Sequence, residues 1–246
     1  MSVAIHRASD RFATDWGWLD SRHSFSFGHH YDPANTGFGL LLVSNDDVVA
    51  PGTGFETHGH RDMEIVTWVL EGSLVHQDSH GHTGVIYPGL AQRMSAGTGI
   101  LHSEKNDDWV ITNNAEHNNP VHFIQMWVLP DTAGLTPGYD QLDISAELDR
   151  GLLVPVVSGM PAHDSAIRIA QKDATLFAAR IPAGGQVKVP DAAFAHVYLT
   201  RGSVELEGSG VLDQGDAARI TDGQGQSVRA VNGSAEVLIW QMNSRF

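Results

Sequence analysis

Among the 246 residues there is no cysteine. Its absence removes disulfides, thiolate nucleophiles and cysteine-type zinc sites in one step. Lysine is almost absent too: Lys105, Lys172 and Lys188 stand against 29 Asp and Glu, and the formal net charge is -14. Direct nucleic-acid binding needs a basic footprint, so none is expected. No apolar run approaches the ~20 residues that cross a bilayer. The opening MSVAIHRASDRF has no apolar core of signal-peptide length, so the expectation is a cytoplasmic protein with no membrane attachment. No Ser-His-Asp arrangement, phosphate loop or dinucleotide fingerprint stands out.

What the chain has is histidine, glycine and short apolar runs. Of fourteen His, six (His58, His60, His76, His80, His82 and His102) fall in one stretch, which closes at Glu104. His58 and His60 are separated by one residue, and so are His102 and Glu104. Alternate residues of a β-strand share a face, so each pair projects two donor atoms in one direction. The runs beside them, IVTWVL after the first pair and GTG before the second, read as strands with tight turns. Two such strands facing each other gather three imidazoles and a carboxylate, a set suited to a divalent first-row metal without choosing among them.

Taken in order, the chain reads as short strands throughout. In HSFSF, His23, Phe25 and Phe27 share one parity, which predicts a strand with an aromatic face. GFGLLLVSNDDVVAPGTGF predicts a strand, an Asn-Asp-Asp turn and a second short strand. PVHFIQMWVLP is a further strand closed by Pro130. HQDSHGHTG, with His76, His80 and His82, reads as a solvated hairpin loop in preference to a second metal site. Met94, Met126 and Trp127 read as core. The stretch from Asp131 to Gly151, with a helix-compatible ISAELDR, reads as a connector, which gives domains 1–135 and 136–246. Beyond Leu152 short strands return, and many short strands with regular turns make the fold all-β, of barrel or sandwich type.

The halves repeat each other. WVLEGSL at Trp68 to Leu74 matches YLTRGSV at Tyr198 to Val204, an offset of 130. At that offset His58 and His60 fall on Lys188 and Pro190, and with the four-residue deletion His102 and Glu104 fall on Val228 and Ala230. The metal ligands are therefore expected in the N-terminal domain alone, with His196 an ordinary strand histidine.

Gly52, His58-x-His60, Glu64 and Gly72 resemble the first cupin motif, and GTGILHSEKN, with His102 and Asn106, resembles the second. Together with SRHSFSFGHHYDP and MSAGTGILHSE they resemble the pirin family. The resemblance is close over the N-terminal half and loose over the C-terminal half. It implies a bicupin: two antiparallel β-barrel (jelly-roll) domains face to face, with one metal in the first. The implied ligands are His58, His60, His102 and Glu104. Glu64 is the rival carboxylate, or else an interior acid standing behind the ligands. The implied cofactor is one divalent ion, iron first, with nickel, manganese, copper, cobalt or zinc as alternatives.

The family resemblance further implies quercetin 2,3-dioxygenase activity, in which the central ring of a flavonol is opened with molecular oxygen and carbon monoxide leaves. Glu104 then accepts the proton of the substrate hydroxyl. The alternative is a metal-dependent regulatory protein that binds a protein partner without turnover. Arg22 and His23 belong to the family-like segment but receive no role; His29 and His30 are adjacent, so in a strand they face opposite ways and cannot both serve one metal, and one of them is expected to border the cavity.

Overall fold

The computed structural model describes residues 1–246 and is nearly all β-strand. No helix is long and apolar enough to cross a membrane. By contact the chain divides into two units. One comprises 12–36 and 41–143; the other comprises 1–11, 37–40 and 144–246. The expected boundary at residue 135 is thus displaced, for two reasons. Strand Gly138–Asp143 pairs antiparallel with Leu90–Ser95, so part of the expected connector belongs to the first unit. Strand Ser2–His6 pairs with Ala217–Gly223, so the N-terminus belongs to the second.

The first unit has two antiparallel sheets. The seven-stranded sheet runs, in spatial order, Gly138–Asp143, Leu90–Ser95, Glu64–Glu71, Val121–Val128, Leu41–Val49, Leu19–His23 and Phe12–Asp15. The four-stranded sheet runs Gly54–His60, Ile100–Lys105, Leu74–Asp78 and Thr83–Ile86. Two buried apolar clusters fill the unit. Leu19, Val49, Val69, Leu74, Ile86, Val121 and Phe123 belong to one, and Ile65, Met94, Ala96 and Ile100 form the other. Each buried Leu, Ile or Phe contributes about 1.5–3 kcal/mol.

Between the clusters lies a polar rung. His23 pairs with Asn45, Asn45 with Gln125, Gln125 with Thr67, and Thr67 with Gln92. All five are buried. Polar groups withdrawn from water are costly unless partnered, so a row of them across five strands marks a place where packing yields to chemistry.

Two strand expectations change. Asn45, Asp46 and Asp47 make no turn: Leu41–Val49 runs straight through them, because both flanking strands supply a continuous ladder. HSFSF is not a strand either; Leu19–His23 ends at His23, and Phe27 makes only an isolated bridge to His30.

The second unit is one nine-stranded sheet around a core that includes Val197, Leu199, Val204, Leu206, Val237 and Ile239. The internal repeat is visible at one glycine in each unit. Gly72 (φ +76) and Gly202 (φ +79) lie 130 residues apart, and a Cβ there would meet Pro120 O at 2.8 Å and Ser234 O at 2.4 Å. Only glycine tolerates both the positive φ and that approach.

Candidate metal centre

Strands Gly54–His60 and Ile100–Lys105 pair antiparallel with His58 opposite His102 and Ile100 opposite His60. The register then slips, and Glu104 faces Phe55. This bulge inserts one residue into the first strand and reverses its alternation. Phe55, His58 and His60 therefore all line one cavity. Glu56 turns its carboxylate outward to Lys105 Nζ at 2.8 Å, while its carbonyl accepts His58 Nδ1–H at 2.8 Å.

The three histidines converge. Their ring centroids lie 4.8 Å apart for His58 and His60, 4.5 Å for His58 and His102, and 4.9 Å for His60 and His102. One ligand nitrogen from each falls within 4.8 Å of the others. His60 Nε2 and His102 Nε2 are buried with no hydrogen-bond partner, and with Nδ1 of His58 committed to Glu56, its Nε2 is the nitrogen left over. Each orphaned buried nitrogen costs about 1–3 kcal/mol. A cation taking both lone pairs removes that cost, so these residues fit a metal.

Burial, then the neighbouring His102 and His58, push His60 down to about 4. Burial, then His58 and His76, push His102 down to about 3. Both rings are neutral at physiological pH and present lone pairs, as ligands must.

Glu104 is buried, lines the same cavity and receives Gln125 Nε2–H at 3.0 Å on Oε1 and 2.8 Å on Oε2. Trp127 Nε1–H in turn donates to Gln125 Oε1 at 3.0 Å. By proximity Glu104 groups with His102 and His76, not with all three converging histidines. Glu64 is placed elsewhere: its carboxylate accepts Ser95 Oγ–H at 2.6 Å. Thr67, which reaches Glu104, is three residues along an unbroken strand, so Glu64 points from the opposite face. Parity does not carry over from His60, because Asp62 at φ +46 breaks the extended chain between them.

The cavity has a volume of about 260 Å³. Trp16, Leu19, Phe27, Phe55 and Trp127 give it apolar walls, with Trp127 standing edge-on to His60 at 4.8 Å. Half of its lining comes from residues between Thr14 and His29, a segment to which the sequence assigned no chemistry. His23 lines it, holding Asn45 Oδ1 at 2.9 Å and Thr14 Oγ1 at 3.0 Å. His29 lines it too, while His30 contacts Thr14 Oγ1 at 3.1 Å. Arg22, on the other face of its strand, pairs with Asp20. Ser21 donates to Asp47, and both line the cavity. Burial pushes the Asp47 carboxyl up to about 7; the Ser21 hydrogen bond opposes this, while Asp46 and Glu104 add to it. The interior parity of Asn45, Asp47, Thr67 and Gln125 was the available signal, obscured by reading Asn-Asp-Asp as a turn.

His76 is also displaced from expectation. It sits in strand Leu74–Asp78, fully buried, while His80 is exposed and His82 half-buried in the turn beyond.

The all-β scaffold has a cupin-like barrel fold, and its three convergent imidazoles beside an apolar cavity make a site suited to a divalent metal. The chain belongs to the pirin family, whose model matches residues 5–128. A Mycobacterium tuberculosis protein that bears the quercetin 2,3-dioxygenase name only provisionally is 54% identical over 244 residues, covering 99% of this chain and 96% of that one. Quercetin 2,3-dioxygenase of Escherichia coli K12 is 36% identical over 242 residues, covering 98% of each. The crystal structure of the Escherichia coli bacterial pirin YhhW in complex with nickel(II) matches with a TM-score of 0.85 at 34% identity, covering 100% of both chains.

Proposed function

We propose that this protein is a metal-dependent oxidoreductase that opens the ring of a flavonol, or a similarly compact hydroxylated aromatic, with molecular oxygen. His58, His60 and His102 would hold one divalent ion through Nε2, with Glu104 as the fourth ligand. The observation that carries this reading is the apolar cavity, which reaches His58, His60 and Glu104 together. A purely regulatory binding role needs no such chamber. At about 260 Å³ it falls just below the ~300–1,000 Å³ typical of small-molecule sites, which favours a compact ring system.

When bound, the divalent ion supplies positive charge that favours the ionised form of an adjacent hydroxyl, and an open position for oxygen chemistry. The chain's own residues do the rest. Glu104 accepts the hydroxyl proton, its carboxylate held in place by Gln125, which Trp127 orients. Phe27, Phe55 and Trp127 flank the aromatic rings and exclude water. Ser21, Asn45 and Asp47 offer hydrogen bonds to a further substrate hydroxyl.

Iron is the first choice of metal on the family resemblance alone; nickel, manganese, copper, cobalt and zinc suit the same imidazole and carboxylate donors. The test is quercetin absorbance loss with oxygen uptake, using protein loaded separately with each of these ions. Turnover with at least one ion supports the reading. No metal-dependent turnover with any of them overturns it.

A further inference from the structure

We infer that His76 and Asp78 are a positioning dyad behind His102, fixing which ring nitrogen that ligand turns to the metal. The inference rests on the metal reading above and extends it to residues outside the ligand set.

His102 Nδ1 lies 3.4 Å from His76 Nδ1, and His76 Nε2 lies 3.2 Å from Asp78 Oδ2. With His102 Nε2 given to a cation, its proton must reside on Nδ1. That proton has one acceptor, Nδ1 of His76. The His76 proton is then on Nε2 and points at the Asp78 carboxylate. Each nitrogen has one role and no two protons collide, so a single set of tautomers satisfies the whole row. An imidazole ligand backed by a carboxylate is a common way to orient a metal site; here a second imidazole extends the reach by one ring.

The dyad is itself held. His76 and the Asp78 carboxylate are both shut off from water. Asp78 also accepts the backbone N–H groups of His80 and His82 at 2.9 and 3.1 Å, and meets His82 Nδ1 at 2.9 Å. Tyr139 stacks on His76 at 4.6 Å and on His82 at 5.7 Å. Its strand, Gly138–Asp143, is the one that the sequence assigned to the connector. A Cβ at Gly84 would lie 2.2 Å from the Tyr139 hydroxyl oxygen, so glycine there admits the ring. Packing alone does not call for this arrangement, since a leucine in place of a buried polar ring fills similar space without the desolvation cost.

The competing geometry puts the cation among His76, His102 and Glu104, whose ligand atoms also lie within 4.8 Å of one another. It is disfavoured because both nitrogens of His76 are already engaged, whereas those of His60 and His102 that face the other set have no partner.

The test uses full-length metal-free protein, nickel(II) affinity by calorimetric titration, and the visible absorption of the cobalt(II)-loaded form. His76→Leu removes the acceptor. His76→Asn keeps an oxygen acceptor near the position of Nδ1. Asp78→Asn keeps the turn's N–H acceptor but removes the charge. His76→Leu should weaken nickel binding by about 10- to 100-fold and shift the cobalt(II) bands, with His76→Asn recovering most of both. Thermal unfolding of each metal-free variant checks folding; if His76→Leu does not fold, Asp78→Asn is read, with a smaller loss of affinity and a band shift in the same direction expected. Unchanged affinity and spectrum in folded variants overturn the positioning role while leaving the metal site intact. Full affinity in His58→Ala with none in His76→Asn puts the cation in the competing set and overturns the inference. Failure of the unaltered protein to bind either ion defeats the underlying metal reading, a result distinct from the other two.

Discussion

Asp47→Asn replaces a buried carboxyl by an amide of the same shape. In the folded protein Asp47 is pushed up to about 7, chiefly by burial, whereas an unfolded aspartate titrates near 3.9. Between those values the native state holds a proton that the unfolded chain has released. Native stability therefore falls as pH rises through the window, and the loss is complete above the folded value. A gap of that width between the folded and unfolded titrations corresponds to about 4 kcal/mol at the upper limit. Asparagine does not titrate, so it escapes the loss. From pH 5 to pH 8 the stability of Asp47→Asn relative to the unaltered protein should rise by about 2 to 3 kcal/mol. Urea denaturation of metal-free protein, followed by tryptophan fluorescence at pH 5, 6, 7 and 8, measures it. A difference that stays flat across that range refutes the claim that this carboxyl is held protonated by burial.

Two further variants probe the site. His58→Ala with His102→Ala removes two of the three convergent nitrogens, and metal analysis after loading should find well under one equivalent; a full equivalent places the ion elsewhere. Trp127→Phe keeps the ring against His60 but deletes the N–H that orients Gln125. Loss of one hydrogen bond to a buried amide costs about 1–3 kcal/mol, so turnover of quercetin should fall several-fold or more with nickel affinity little changed; equal turnover removes Gln125 from the proposed chain.

The convergence of the three histidines was legible because strand periodicity is local. His58 and His60, like His102 and Glu104, are two residues apart, and spacing by two means a shared face wherever a strand is extended. The same rule does not carry across a bend or a tertiary pairing. Glu64 has the parity of His60, yet Asp62 intervenes at positive φ, and the carboxylate ends against Ser95. His76 looked like part of a loop because its neighbours are turn residues, but the ladder to Ser103, Glu104 and Lys105 extends the strand through it. Asn45 and Asp47 looked like a turn, since Asn and Asp favour turns in isolation. Two flanking strands override that preference by supplying backbone partners.

By itself, then, the sequence determined the all-β class, the internal repeat, the pirin resemblance and the convergence of three histidines, all consequences of near-neighbour spacing. The tertiary structure alone decided which polar side chains share the cavity, that residues between Thr14 and His29 wall half of it, and that Gly138–Asp143 backs His76. Those facts depend on which distant strands pair and in what register, and register is a property of the whole sheet, set by backbone hydrogen bonds between segments that carry no record of each other in their own spacing.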